Sequence, residues 1–146
     1  MNAGRIALAA AAALLACTLQ AARAQDMSAA NFAPLREAAV ADESAWRDWH
    51  SGVLLAAFGP IYQAAFAECS AGATMADAQP FSFVLVIGPD GAVQRLGADR
   101  NTRIWQCMRG KFAFARLPAP PKAPYHLLMH QRFREPPPSV APDTPR

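Results

Sequence analysis

The sequence predicts an α+β domain in which two N-terminal helices precede a strand-strand-helix-strand unit with a small antiparallel sheet. Three observations carry this. Apolar residues recur at helical spacing from Leu35 to Cys69. At residue 81 the period changes to two, with Phe81, Phe83, Leu85 and Ile87 alternating with Ser82, Val84 and Val86. A Gly88-Pro89-Asp90-Gly91 stretch then joins that run to a second one, with the residues a tight hairpin turn needs. The chain has 146 residues, of which 1–24 read as a removable leader, so what remains suits one domain with a modest core.

Arg5 gives the leader its positive start, residues 6–15 form an apolar run too short to span a bilayer, and Ala22-Arg23-Ala24 offers a cleavage site before Gln25. Export from a bacterial cytoplasm is therefore expected, with a periplasmic or secreted location and no transmembrane span in the mature form. Leu14-Leu15-Ala16-Cys17 resembles a lipobox, which makes a lipid anchor at Cys17 the alternative. With Cys17 removed, Cys69 and Cys107 remain, an even pair in an oxidising compartment, and a disulfide between them is expected. Their spacing is unlike the Cys-x-x-Cys of a redox pair.

Residues 25–32 are small and polar and read as a mobile approach to the first helix. That helix is expected from about Pro34, with Asn31 near its start and Leu35, Ala38, Ala39, Trp46, Trp49, Val53 and Ala57 on its apolar side. Gly59-Pro60 is expected to break it. A second helix then starts at Pro60, carries Ile61, Ala65 and Cys69 on one face, and stops near Gly72. After the hairpin, residues 99–102 offer several N-caps, and Ile104, Trp105, Met108 and Phe112 mark a third helix containing Cys107. The expected disulfide would fasten it to the second helix. Four prolines in residues 117–124 impose an extended connector. Residues 125–133 alternate again, which predicts a third strand, and the proline-rich residues 135–146 read as a disordered tail.

Charge divides the mature chain. Residues 25–94 hold two bases against eight acids, whereas the chain from Arg95 onward holds ten against three. Either the halves pair with each other or the basic half meets an anionic partner, and the first is favoured. Nucleic acid is not expected as a partner of an exported chain.

No nucleophile elbow, phosphate-binding loop, dinucleotide fingerprint or zinc-protease helix occurs in the sequence. His126 and His130 have a metal-ligand spacing only on a helix. On a strand they share a face about 13 Å apart, too far for one ion. Neither a metal nor a cofactor is expected, nor is enzymatic activity. Trp46, Trp49 and His50 could form a sugar platform, but two tryptophans three apart on an amphipathic helix suit a core.

The pattern Phe83-Val84-Leu85-Val86-Ile87, then Pro89-Asp90-Gly91-Ala92-Val93, a helix, Leu117-Pro118-Ala119-Pro120 and a last strand resembles the C-terminal domain of the TonB family. The resemblance covers residues 81–133. It implies a small sheet with a helix on one face and a partner bound by strand addition. The cleavable leader, the two extra helices and the expected disulfide depart from that family, so energy transduction from the inner membrane is not expected. The expectation is a non-enzymatic binding or adaptor module that meets a cell-envelope protein along its last strand, through His126, Leu128, His130 and Arg132. The alternatives are an inhibitor or immunity-type protein, and an envelope polysaccharide binder or small hydrolase.

Overall fold

A computed structural model describes residues 25–27 and 31–133. The leader, the candidate lipobox Cys17 and the proline-rich tail lie outside the described residues. The fold is α+β. Its sheet centres on β2 (Phe81–Ile87), which pairs antiparallel with β3 (Val93–Ala98) on one side and with β4 (Tyr125–Gln131) on the other. A short β1 (Gln25–Met27) adds parallel to β3, opposite Arg95, Leu96 and Gly97, giving the order β1-β3-β2-β4. Part of the stretch expected as a mobile approach is therefore strand.

The hairpin forms as its residues dictate. Gly88 donates to the Ala92 carbonyl at 2.8 Å, Gly91 to the Gly88 carbonyl at 3.0 Å, and the register shifts between Val86 and Ile87. Gly91 has φ +79°, and a Cβ there would lie 1.9 Å from the Leu117 carbonyl oxygen, so both conformation and space call for glycine. Asp90 ties the turn by accepting from the Ala92 amide and from Arg116.

Both faces of the sheet are covered. On one, Phe81, Phe83, Leu85, Ile87, Tyr125 and Leu127 meet the main core. On the other, Val84 and Val86 pack with Phe32, Leu35 and Ala39 of α1 (Phe32–Ala45), and half-buried Leu128 joins them. A central strand covered on both sides needs apolar residues on both faces, which is why Val84 and Val86 stand opposite the phenylalanines and leucine of β2.

The helices differ from expectation in where they divide. The break falls at Trp46, which has φ −128° and ψ 39°, and not at Gly59-Pro60. From there α2 (Arg47–Ser70) is continuous, with one π turn at His50–Leu54. Pro60 and Ala56 lie on the exposed side, so the carbonyl that proline cannot engage has access to water and the helix carries on. Among the described residues α2 alone is long and apolar enough to cross a membrane, yet Leu54, Phe58, Ala65 and Cys69 pack into the main core. The division at Trp46 lets the chain pass from one face of the sheet to the other beside the start of β4.

The third helix, α3 (Arg103–Phe112), starts on Thr102, whose Oγ1 accepts from the Trp105 amide at 3.1 Å. It runs through Gly110 to Phe112. Cys69 and Cys107 are joined with their Cα atoms 5.6 Å apart, fastening α2 to α3 as expected.

Candidate functional site

Among the described residues β4 is an outer strand, bonded to β2 on one side only. The direction of its free groups follows from one contact. The His126 amide donates to Asp42 Oδ2 of α1 at 3.0 Å, so it points away from β2. In an antiparallel ladder the groups alternate, so the amides of Leu128 and His130 point the same way. Among the described residues nothing takes up those two amides.

The two ends of this edge are unlike. At the Tyr125 end the edge is closed. Asp42, 5% exposed, lies over it and accepts from the His126 amide, from His126 Nδ1–H at 2.7 Å and from Lys122 Nζ at 3.4 Å. Behind the strand, Trp49 packs edge-on against the Tyr125 ring with centroids 5.0 Å apart, and Tyr125 Oη lies 2.9 Å from Nδ1 of buried His50. Burial, then the charges of Asp42 and Glu43, push the Tyr125 hydroxyl up to about 12.

His126, expected to meet a partner, has both its ring and its amide on the Asp42 carboxylate that α1 brings to it. Of the three residues considered for a sugar platform, Trp49 and His50 contact Tyr125 and Trp46 is exposed, with Trp46 and half-buried Trp49 lining one pocket beside Asp48.

At the other end the edge is open. Tyr62 donates its hydroxyl to Gln131 Oε1 from the core side. On the α1 side, Ser82 and His130 face each other across β2 and β4, with Ser82 Oγ 2.8 Å from His130 Nδ1. The carboxylate of Asp99 accepts from the Ser82 amide at 2.8 Å. It therefore holds the start of β2 and does not orient the imidazole as the acid of a nucleophilic triad would. Ser82, Asp99, His130 and Gln131, with Pro80, Arg100 and Arg132, line a cavity of about 240 Å³. His130 and Arg132 are exposed as expected, and Leu128 is half-buried, with its side chain under α1 and its amide outward.

No protein-family model matches the chain, and no curated protein or solved structure matches it significantly. Its chemistry is therefore read from its own residues.

The charge asymmetry resolves in favour of pairing between the halves. Asp77 holds Arg103, Glu68 holds Lys111, Asp90 holds Arg116 and Asp42 holds Lys122. In each pair the acid comes from before residue 95 and the base from after it. Arg95 and Arg109 are also engaged. Of the described bases after Gln94, Arg100 and Arg132 are left without an ion pair or a side-chain hydrogen bond among the described residues, and both line the same cavity.

Sequence reasoning missed Asp42, Asp99 and Arg100. A signal existed for Asp42 alone. It falls on the buried stripe Phe32, Leu35, Ala39, Asp42 of α1, and an acid on an apolar stripe needs a buried partner.

Proposed function

We propose that this protein is a non-enzymatic binding or adaptor module of the bacterial cell envelope. In this reading it is similar in fold to the TonB C-terminal domain and takes an extended segment of a protein partner as an added strand along β4. One observation carries it: the outward amides of Leu128 and His130 on an outer strand have no partner among the described residues. Unpaired strand backbone is a template for another strand, and main-chain bonds made there give affinity with little demand on side chains. Closure of the other half of the edge by Asp42 limits docking to the segment from Leu128 onward and fixes its position.

The test is Leu128→Pro. Because that amide points away from β2, proline removes no bond of the ladder, and the variant should keep its disulfide and circular dichroism. Partner capture from periplasmic extract should be lost. A folded variant that captures its partner as well as the parent does would end the strand-addition reading.

A further inference from the structure

We propose that the cavity at the open end of β4 is a carboxylate pocket, and that the docked partner segment carries an Asp or Glu whose side chain enters it. The inference rests on the strand-addition reading and adds to it the chemistry of what is bound. Three observations point to it.

Arg100 and Arg132 come from separate segments of the chain, are exposed, and have no ion pair among the described residues, although four other bases after Gln94 each have one. Two cations held at one cavity repel each other unless an anion lies between them, and guanidinium groups suit a carboxylate because they can hold both its oxygens. The acid already present, Asp99, accepts from the Ser82 amide, and among the described residues it forms no ion pair with either arginine.

The second observation is placement. His130 and Arg132 share the parity of the outward amides. A strand added about 4.8 Å beyond β4 puts the residue opposite His130 with its Cβ about 5 Å away. That residue's side chain lies on the α1 face of the sheet, where Ser82 and His130 line the cavity.

The third is a spare ring nitrogen, which donates when the Ser82 hydroxyl donates to the other. His130 Nδ1 is engaged with Ser82 Oγ, which fixes the ring and leaves Nε2 for a ligand. Arg100, Arg132 and His130 thus surround a position that a Glu or Asp of the docked strand reaches and that a neutral or basic residue leaves uncompensated.

A randomised peptide library selected against the mature, disulfide-bonded protein tests this, with the enriched peptides synthesised and titrated by fluorescence anisotropy. The expected result is an acidic residue fixed at one position. Changing it to the amide, or combining Arg100→Gln with Arg132→Gln in the protein, should each weaken binding about 10- to 100-fold, and together little more than either alone. Affinity should fall as ionic strength rises.

N-methylation of the peptide amides that face β4 tests the docking mode without altering the protein. Peptides that lose binding on N-methylation but show no acid preference, or are indifferent to the arginine changes, would overturn the pocket and leave strand addition standing. Acidic peptides that need the arginines but tolerate N-methylation would overturn strand addition, and with it the geometry proposed here. A library that enriches no sequence would overturn both.

Discussion

The two ends of β4 are the same strand in the same ladder, yet one is closed by polar contacts and the other is left open. At the Tyr125 end, Asp42 covers the edge, His50 and Trp49 hold the Tyr125 ring, and the Gly88–Gly91 turn seals the neighbouring strands. At the Gln131 end the outward amides have no partner among the described residues, and Arg100 and Arg132 line a cavity with Asp99 but form no ion pair among those residues. What holds the open end sits behind it. Tyr62 and Phe66 of α2 reach Gln131 and Phe133, and one turn further along the helix the disulfide joins α2 to α3. A docking edge must be rigid without being paired. Here the rigidity comes from the core side, which suits the strand addition proposed for this edge.

The largest effect expected is from removing that support. Cys69→Ala with Cys107→Ala releases a loop closed over a sequence separation of 38 residues, which the chain-entropy model values at about 4 kcal/mol. Urea unfolding should show the loss. Hydrogen exchange should show its place, with protection falling more at residues 129–131 than at 125–127. Equal loss at both ends would mean that the disulfide supports the whole sheet and that the ends do not differ in this way.

At the closed end, Gly91→Ala should cost about 3 kcal/mol, because it strains a backbone at φ +79° and forces the Leu117 carbonyl away. Exchange should now rise first at the turn and at Tyr125, with Ser82 and His130 little changed. A variant as stable as the parent would show that residues 116–118 can move aside and that the turn is not what seals this end.

How much of this could be read in the sequence depends on how local the cause is. The turn at Gly91, an N-cap somewhere in residues 99–102 and the disulfide link were legible because each rests on neighbouring residues or on a count of cysteines. The division between α1 and α2 was not. Proline and glycine at 59 and 60 look like a breaker, but they lie where water can serve the backbone. Nothing in Ala45-Trp46-Arg47 announces a break that the crossing between sheet faces imposes. Three-residue β1 has no period to detect. The cavity is built from residues 80–82, 99–100 and 130–132, which only the pairing of β2 with its two neighbours brings together.

A smaller effect, and a direct one on the comparison, is Asp42→Ala. It strips the carboxylate from the His126 amide and ring and should cost about 2 kcal/mol, as expected when hydrogen bonds to a charged group are lost from a buried site. It should also lengthen the open edge. His126 amide exchange should accelerate, and peptides one strand repeat longer should gain affinity over the parent protein's preferred length. If exchange at His126 stays slow, something other than Asp42 closes the edge.

The smallest effect changes sign with pH and concerns Tyr125. At neutral pH, Tyr125→Phe leaves buried His50 Nδ1 without its partner and should cost about 1 kcal/mol. In the parent, the folded hydroxyl titrates at about 12 against a reference of 10.0. Above pH 10 the unfolded chain gives up this proton while the folded chain keeps it. The unfolded state is then favoured, and stability falls until the folded hydroxyl also ionises near pH 12. Phenylalanine has no such proton. The gap between the two proteins should therefore narrow between pH 10 and 12 and can invert, measured by urea unfolding at fixed ionic strength so that lysine titration is common to both. A gap that stays constant through that range would mean that Tyr125 ionises as freely folded as unfolded, and that the Tyr125 end is wetter than its packing against Trp49 and His50 implies.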